Sequence, residues 1–295
     1  MLMRRILITG ANKGIGLASV AAIVSQRVDT QVIIGSRNRE RGLQARASLL
    51  ESHPSWGDRL EVVEIDVSND ESVAKAAAEV QSKFDGDTPL YAVVNNAGVG
   101  ASAGDLEYVL QVNACGVRRV CEAFLPLIDA QTGRIVNVTS ASGPNFVSGC
   151  SKKQQSLFLD ADIDWSSLDA FMNDCVATEG EAAFAAKGLS SGEAYGLSKA
   201  CANSYTLLVA RQHPNLRINA CTPGFIETDM TRPFAIAQSV TPTEMGMRPP
   251  TEGTRSTLHL LFGELDGNGH YYGSDAVRSP MHCYRAPGDP PYTGE

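Results

Sequence analysis

The sequence predicts an α/β fold in which one open, doubly wound parallel sheet of about seven strands carries helices on both faces. Short β-branched runs recur along the chain, and amphipathic stretches separate them. A glycine-rich turn follows the first of these runs directly. No linker rich in Gly, Ser or Pro divides the 295 residues, so we expect a single Rossmann-type domain over residues 1–295.

The predicted strands and helices alternate in chain order. Strands are predicted at 6–9, 32–35, 60–65, 91–95, 135–139 and 217–221, where short runs are rich in Val and Ile. Helices are predicted near 15–26, 38–52, 69–84, 105–130, 193–212 and 251–263. This alternation implies right-handed crossovers between parallel strands.

Two stretches break the alternation. From 141 to 192 no strand pattern occurs, and we expect a helical insertion there, opened by Ser166 and Ser167 as N-caps. Its evidence is one apolar helix face, made of Leu168, Phe171, Met172, Cys175 and Val176. The tail from about 278 to 295 is rich in Pro and Gly, so it is expected to be irregular.

Composition and charge exclude several functions. The net charge of −8 and the scattered Lys and Arg residues argue against a nucleic-acid partner. The apolar run at 6–8 is too short for a signal peptide or a membrane span, so no membrane partner is expected. The seven cysteines form no C-x-x-C pair or zinc-like cluster, so we expect no metal, and reduced thiols in the cytoplasm.

The glycine-rich turn, Thr-Gly-Ala-Asn-Lys-Gly-Ile-Gly, has the composition of a dinucleotide-binding loop and leads into a helix. Gly10 can make the tight turn, Gly14 admits a pyrophosphate, and Gly16 permits close packing of helix on strand. The helix amino terminus would bind the phosphates, although such turns also arise for purely structural reasons. The candidate cofactor-binding residues here are Gly10, Asn12, Lys13, Gly14, Ile15 and Gly16.

The end of the second strand indicates which dinucleotide is bound. It carries no carboxylate for the ribose hydroxyls of NAD. Arg37, with help from Lys13 and Arg39, can instead bind the 2′-phosphate of NADP(H), because a guanidinium matches phosphate oxygens in a two-pronged fork. NADP(H) is therefore the expected cofactor, and the alternative is that Arg37 is only a solvated loop charge.

Short motifs after the third and fourth strands complete the expected cofactor site. Asp66, followed by Val67, can accept a hydrogen bond from the adenine amino group or can cap the helix that begins near Asn69. The run Asn-Asn-Ala-Gly leaves room for a ribose while its amides tie neighbouring strand ends together, although a simple glycine turn would explain it as well. Its candidate contacts are Asn95, Ala97 and Gly98.

Tyr195 and Lys199 lie one helical turn apart, so they share one face of the predicted helix 193–212. A phenol with a pKa of about 10 is a poor acid at neutral pH, and a neighbouring ammonium lowers that pKa. Tyr195 could then protonate a carbonyl oxygen as a hydride reaches the carbon. Taken alone, such a pair is more often a surface contact.

The motifs occur in the order typical of the short-chain dehydrogenase/reductase family, which the sequence resembles from about residue 4 to 230. The series is the glycine turn, Asn-Asn-Ala-Gly, Gln111-Val112-Asn113, Val136 to Ser140, Tyr195 with Lys199, and Thr222-Pro223-Gly224. The resemblance implies that Ser140 polarises the substrate carbonyl, that Tyr195 is the general acid, and that Lys199 holds the nicotinamide ribose. It also implies that Asn113 bends its helix and holds a water, and that the nicotinamide is cradled by Pro223, Gly224, Ile226 and Thr228.

The gap between Ser140 and Tyr195 is much longer than is usual in the family, and the predicted insertion accounts for it. The gap, the glycine turn and Arg37 together resemble the carbonyl-reductase branch, in which the insertion covers the helices that other members use to form dimers. The resemblance implies a monomer. The expected activity is NADPH-dependent reduction of a ketone, aldehyde or quinone to an alcohol.

The substrate mouth is expected between the insertion and the stretch 227–250. Apolar residues there favour a small apolar carbonyl substrate, or are simple packing under a loop: Met230, Phe234, Ile236, Met245 and Met247. Two other functions remain open. The first is a non-catalytic NADP(H)-binding sensor, against which the complete set of Asn113, Ser140, Tyr195 and Lys199 argues. The second is a sugar-nucleotide epimerase or dehydratase, for which the chain after 230 looks too short.

Overall fold

The computed structural model of the protein describes residues 3–84 and 90–294, and within them eight strands form one sheet. The strands are β1 (Arg4–Ile8), β2 (Thr30–Ser36), β3 (Leu60–Glu64), β4 (Ala92–Asn95), β5 (Arg134–Val138), β6 (Arg217–Cys221), β7 (Tyr271–Tyr272) and β8 (Arg278–Ser279). Their order across the sheet is β3-β2-β1-β4-β5-β6-β7-β8.

Helices connect the strands. They are α1 (Gly14–Gln26), α2 (Arg39–Ser52), α3 (Asp70–Lys83), α4 (Leu106–Asn113), α5 (Cys115–Phe124), α6 (Ser142–Ser148), α7 (Lys152–Phe158), α8 (Trp165–Val176), α9 (Glu181–Ala186), α10 (Ala194–Gln212), α11 (Arg232–Ala237) and α12 (Arg255–Phe262). Each helix in the described part of the chain is too short or too polar to cross a bilayer.

The predicted doubly wound α/β fold is confirmed. Strands β1 to β7 are parallel, and the strand order reverses between β1 and β4. Alternate residues of β1 enter opposite halves of the core: Leu7 packs with residues of α3, α5 and α10, whereas Ile6 and Ile8 pack with α1 and α12. A reversal of strand order leaves a crevice at the carboxyl ends of the strands, where doubly wound proteins bind their ligands.

The helical insertion is present, with corrections in detail. Residues 141–192 contain α6, α7, α8 and α9. Asp164, rather than Ser166 or Ser167, caps α8, because its carboxylate accepts the Ser167 N–H at 2.7 Å. The predicted apolar face is buried at its centre, whereas Val176 at the end of α8 is exposed.

The long helix predicted over 105–130 is interrupted. It divides at Ala114 into α4 and α5, and a short 3-10 turn covers Leu125–Leu127. The break follows Asn113, whose side chain bonds to a neighbouring loop rather than to solvent. Apolar periodicity continues across the break, so the sequence pattern did not reveal it.

The carboxy-terminal tail has no helix or strand over 280–294, as predicted, but it begins with a short strand. Residues 278–279 form β8, an eighth strand antiparallel to β7. Beyond it, the buried Arg285 guanidinium donates two hydrogen bonds to Asp275 Oδ2, at 2.9 and 2.5 Å. A two-residue strand carries no periodicity, so it could not be predicted from the pattern of residues. Residues 1, 2, 85–89 and 295 of the predicted domain lie outside the described residues.

Candidate active site

A cleft of about 740 Å³ opens at the carboxyl ends of the strands, beside the reversal between β1 and β4. Its walls are the glycine turn, the loops after β2 to β5, the start of α10 and the segment after β6. Most of the predicted site residues line it: Gly10, Asn12, Lys13, Gly14, Ile15, Gly16, Arg37, Asp66, Val67, Ala97, Gly98, Ser140, Tyr195, Lys199, Pro223, Gly224, Ile226 and Thr228.

The glycine turn fits the pyrophosphate of a dinucleotide. Gly10 and Gly14 have φ angles of +63° and +57°, a region where other residues are strained. A Cβ on Gly16 would lie 2.5 Å from the carbonyl oxygen of Gly10. Asn96, whose amide was expected to tie neighbouring strand ends, fixes the turn by donating from Nδ2 to the carbonyls of Thr9 and Gly10 at 2.9 and 3.1 Å. The bare turn and the amino terminus of α1 therefore offer space and N–H donors to phosphate.

The loops after β2 and β3 carry the predicted adenosine contacts. Arg37 Nη1 donates to the hydroxyl of Tyr108 at 3.3 Å, and Tyr108 is a further cleft residue that the sequence analysis missed. Asp66 Oδ1 accepts the N–H of Ser68 at 2.9 Å. Asn69 caps α3, which excludes the alternative that Asp66 is the helix cap.

Three polar side chains from two separate parts of the sequence meet in the cleft: Ser140 after β5, and Tyr195 and Lys199 on α10. The Ser140 hydroxyl accepts the N–H of Ser142 at 3.1 Å, which fixes Ser140 just before the first turn of α6. Lys199 is only 4% exposed and donates from Nζ to the carbonyl of Val138 at 3.3 Å. Its Nζ lies 5.6 Å from the centroid of the Tyr195 ring.

Burial controls the protonation of this group. Burial raises the pKa of Tyr195 above its usual value, and the neighbouring Ser140 hydroxyl opposes the rise. In the protein alone burial outweighs the hydrogen bond with Ser140, and the lowering of the Tyr195 pKa by Lys199 stays a prediction. Burial also lowers the pKa of Lys199 to about 8, because the charged ammonium is desolvated. At neutral pH Tyr195 retains its proton, and Lys199 is close to the point at which it loses its own.

Asn113 is buried behind the cleft rather than on its surface. Its Oδ1 accepts the N–H of Val99 and its Nδ2 donates to the carbonyl of Val99, both at 2.9 Å. Nδ2 also donates to Ser198 Oγ at 3.1 Å, so Asn113 ties the loop after β4 to α10. Gly98 lies between these groups: a Cβ there would be 3.2 Å from Asn113 Oδ1 and 3.4 Å from Lys199 Nζ.

Asn95 corrects one prediction. Its buried side chain lies on the face of the sheet that packs on α5, where Nδ2 donates to Asn137 Oδ1 of the neighbouring strand β5 at 2.9 Å. It does not line the cleft. Successive strand residues point to opposite sides, so Asn96 faces the glycine turn and Asn95 cannot. The prediction that the Asn95 side chain binds cofactor is therefore withdrawn.

Residues 223–233, which we call the charged segment, close the other side of the cleft. Gly224, near its start, has a φ of +91°, which favours glycine. A Cβ on Gly100 would lie 3.1 Å from Met230 Cγ, so the charged segment reaches the loop after β4. Of the apolar residues predicted at the substrate mouth, Met230 lines the cleft. Phe234 and Ile236 on α11 are instead 55% and 74% exposed, and Met247 is buried, which corrects that prediction.

Charges also join the two sides of the cleft. Lys13 Nζ donates to Asp229 Oδ2 at 2.7 Å, across 216 positions of sequence. Arg232 Nη1 donates to Asp229 Oδ1 at 2.9 Å. Lys13 was predicted to help Arg37 at the 2′-phosphate, whereas here its partner is Asp229. No sequence motif pairs residues so far apart. The charged residues Asp229 and Arg232 were the one feature of the sequence that could have indicated an ion pair here.

Comparison with known proteins identifies the family of the chain. Residues 4–152 match the family model described as short chain dehydrogenase. Short-chain dehydrogenase/reductase 1 of Saponaria officinalis is 31% identical, covering 93% of this chain and 95% of the relative. Carbonyl reductase [NADPH] 1 of Mus musculus is 30% identical, covering 89% of this chain and 92% of the relative.

A solved structure shares the architecture. Menthone neomenthol reductase from Mentha piperita superposes with a TM-score of 0.74 at 23% identity, covering 93% of this chain and 99% of that one. The resemblance to the carbonyl-reductase branch inferred from the sequence is confirmed by these relatives. The chain belongs to the short-chain dehydrogenase/reductase family.

Proposed function

We propose that the protein reduces a carbonyl compound to an alcohol with NADPH. The observation that carries this proposal is the convergence of Ser140, Tyr195 and the buried Lys199 in one cleft with the glycine turn. A proton donor and a dinucleotide loop in a single crevice are the two parts that a carbonyl reduction needs.

The proposed cofactor is NADP(H) rather than NAD(H). Gly10 to Gly16 and the amino terminus of α1 would hold the pyrophosphate. Arg37 lines the cleft at the end of β2, where no carboxylate competes for the ribose, and its guanidinium suits a 2′-phosphate. The name of the mouse relative, carbonyl reductase [NADPH] 1, supports the same choice.

When bound, the nicotinamide supplies a hydride to the carbonyl carbon. Tyr195 would give its hydroxyl proton to the carbonyl oxygen, and it holds that proton at neutral pH because burial keeps its pKa raised. The Ser140 hydroxyl would orient the carbonyl oxygen by hydrogen bonding. Lys199, as an ammonium, would bind the nicotinamide ribose and stabilise the phenolate that forms as the proton leaves.

The proposed substrate is a small apolar ketone, aldehyde or quinone. Val99, Val112 and Met230 contribute apolar surface to the cleft. A methionine adapts its shape to irregular guests, so this wall suits a variable apolar skeleton more than a polar sugar.

We further propose a monomer in a reducing compartment, the cytoplasm. The insertion packs on α5 and α10: the Arg118 guanidinium lies 4.3 Å above the Trp165 ring, and Trp165 meets Tyr205 edge to face at 5.8 Å. These contacts support a monomer, because the insertion occupies the surface of α5 and α10 that two chains would otherwise share. All seven cysteines are free thiols and six are buried, which supports a reducing compartment. Sedimentation at micromolar concentration tests the monomer.

The test of the activity follows NADPH absorbance against a panel of quinones, aldehydes and cyclic ketones. We expect Tyr195→Phe to lower kcat/KM by about 100-fold or more, with NADPH affinity within about twofold of wild type. Tyr205→Phe on the same helix, outside the cleft, is the matched control and should retain full activity. Unchanged rates in Tyr195→Phe would overturn the assignment. NADPH binding without turnover on any carbonyl would favour the non-catalytic sensor.

A further inference from the structure

We propose that Lys13 and Arg232 form a phosphate clamp of the cofactor site, and that Asp229 is the counter-ion that occupies this clamp in the free protein. The inference rests on the proposed use of a nicotinamide dinucleotide. It assigns Arg232 a binding role, and it makes Asp229 a competitor of the cofactor rather than a contact to it.

The contacts divide one carboxylate between two cations. Lys13 Nζ lies 2.7 Å from Asp229 Oδ2, and Arg232 Nη1 lies 2.9 Å from Asp229 Oδ1. Arg232 Nε also lies 3.0 Å from Glu227 Oε1. Two oxygens of a phosphate could replace the two carboxylate oxygens of Asp229 and bind the same two cations.

The position of the clamp places it beside the expected phosphates. Lys13 is the N-cap residue of α1. Its side chain therefore begins at the helix end whose free N–H groups would bind a pyrophosphate. On the opposite side, a Cβ on Gly14 would lie 3.4 Å from Thr228 Cγ2, so the charged segment is in near contact with the turn. Arg232 and Lys13 therefore face one anion from both sides of the cleft.

The charges explain why a counter-ion is needed and why it can be displaced. Lys13, Glu227, Asp229 and Arg232 all line the cleft and balance each other in sign. Lys13 lowers the pKa of Asp229, so at neutral pH this carboxylate is ionised and leaves the clamp by exchange rather than by protonation. The side chains of Lys13, Asp229 and Arg232 are at least half exposed. Exposed ion pairs are weak, so a multiply charged phosphate can replace the Asp229 carboxylate.

The test compares the Kd for NADPH and for NADH, by titration of nicotinamide fluorescence at low ionic strength. Asp229→Asn should tighten NADPH binding about two- to fivefold, because Lys13 and Arg232 no longer need to exchange partners. Arg232→Gln should weaken NADPH binding by a similar factor. Glu122→Gln also removes one carboxylate from an exposed arginine pair, but outside the cleft, and should leave both Kd values unchanged.

The two cofactors identify the phosphate. Equal gains for NADPH and NADH in Asp229→Asn assign the clamp to the pyrophosphate, whereas a gain for NADPH alone assigns it to the 2′-phosphate. Hydrogen exchange gives a second readout: amides 230–238 should exchange faster in Asp229→Asn than in wild type, and NADPH should restore their protection.

Failure of the clamp can be separated from failure of the proposed function. If wild type binds NADPH and reduces a carbonyl while Asp229→Asn and Arg232→Gln keep its Kd, only the clamp is overturned. Weaker binding in Asp229→Asn would also overturn it, because the carboxylate would then be a support of the site. Wild type that binds neither cofactor overturns the clamp and the proposed function together.

Discussion

The two sides of the cleft are built in opposite ways. The glycine-turn side consists of bare backbone held by half-buried side-chain hydrogen bonds, such as those from Asn96 to Thr9 and Gly10. The charged segment consists of exposed side chains paired with one another and with Lys13. Packed backbone tolerates no added atom, whereas exposed ion pairs exchange partners at small cost. We therefore expect rigid recognition of the dinucleotide on one side and adjustable closure on the other.

The largest expected effect is on the glycine-turn side. In Gly16→Ala the new Cβ would meet the Gly10 carbonyl at 2.5 Å and Asn96 Nδ2 at 2.6 Å, and backbone cannot move aside cheaply. We expect a loss of about 3 kcal/mol in the free energy of unfolding and at least about a tenfold rise in the NADPH Kd. Thermal unfolding and cofactor titration measure both. Gly57→Ala, whose Cβ would meet nothing within 4 Å, is the control. Equal behaviour of the two variants would refute the rigidity of this side.

A second prediction concerns the buried cation between the two sides. Burial holds the pKa of Lys199 at about 8 instead of 10.5, so the folded protein at pH 7 carries a desolvated charge. Lys199→Met should abolish carbonyl reduction yet raise the free energy of unfolding at pH 7 by about 3 kcal/mol, the equivalent of that pKa difference.

The pH dependence fixes the sign of this effect. Between pH 8 and 10.5 the unfolded chain binds a proton that the folded chain has lost, so the stability of wild type rises with pH in this window. The advantage of Lys199→Met should therefore shrink to nothing by about pH 10.5. Urea unfolding across this range measures it, with Lys153→Met on the exposed face of α7 as control. A stability gain that is independent of pH would contradict the assignment to the buried charge.

A third prediction tests where cofactor choice resides. Arg37→Asp replaces a phosphate-binding cation with a carboxylate that can hold ribose hydroxyls. The Kd for NADPH divided by the Kd for NADH should rise about thirtyfold, so that the variant favours NADH. This change is equivalent to about 2 kcal/mol, the size of a hydrogen bond to a charged group. Arg41→Asp on α2 makes the same change of charge outside the cleft and should leave the ratio unchanged. An unchanged ratio in Arg37→Asp would leave Arg37 as a solvated charge.

The smallest expected effect separates the cleft from the sheet beneath it. Asn95→Ala removes the donor to Asn137 Oδ1 without touching the cleft. We expect a loss of about 1 kcal/mol of stability and an unchanged NADPH Kd. Chemical denaturation and the same titration measure these quantities. A large loss of cofactor affinity would show that Asn95 contributes to the binding site, and it would contradict the separation of the cleft from the sheet.

Much of the fold and the site could be predicted because the signals were local. The six strands whose positions were predicted are present, since each is a short buried run with a clear composition. The predicted candidates Gly10 to Gly16 and the pair Tyr195 and Lys199 lie in the cleft, because strand-to-turn order and helical spacing place them there. The β8 strand and the Asp164 cap were missed, since one has no periodicity and the other competed with two serines nearby.

The sequence by itself determined the alternation of strands and helices, the bare turn after β1 and the shared helix face of Tyr195 and Lys199. Periodicity and spacing encode these features within a few residues of chain. Only the tertiary structure decided that Lys199 is desolvated, that Asn96 rather than Asn95 faces the turn, and that Lys13 meets Asp229. Burial and long-range ion pairs depend on how distant elements pack, and no local pattern of residues carries that information.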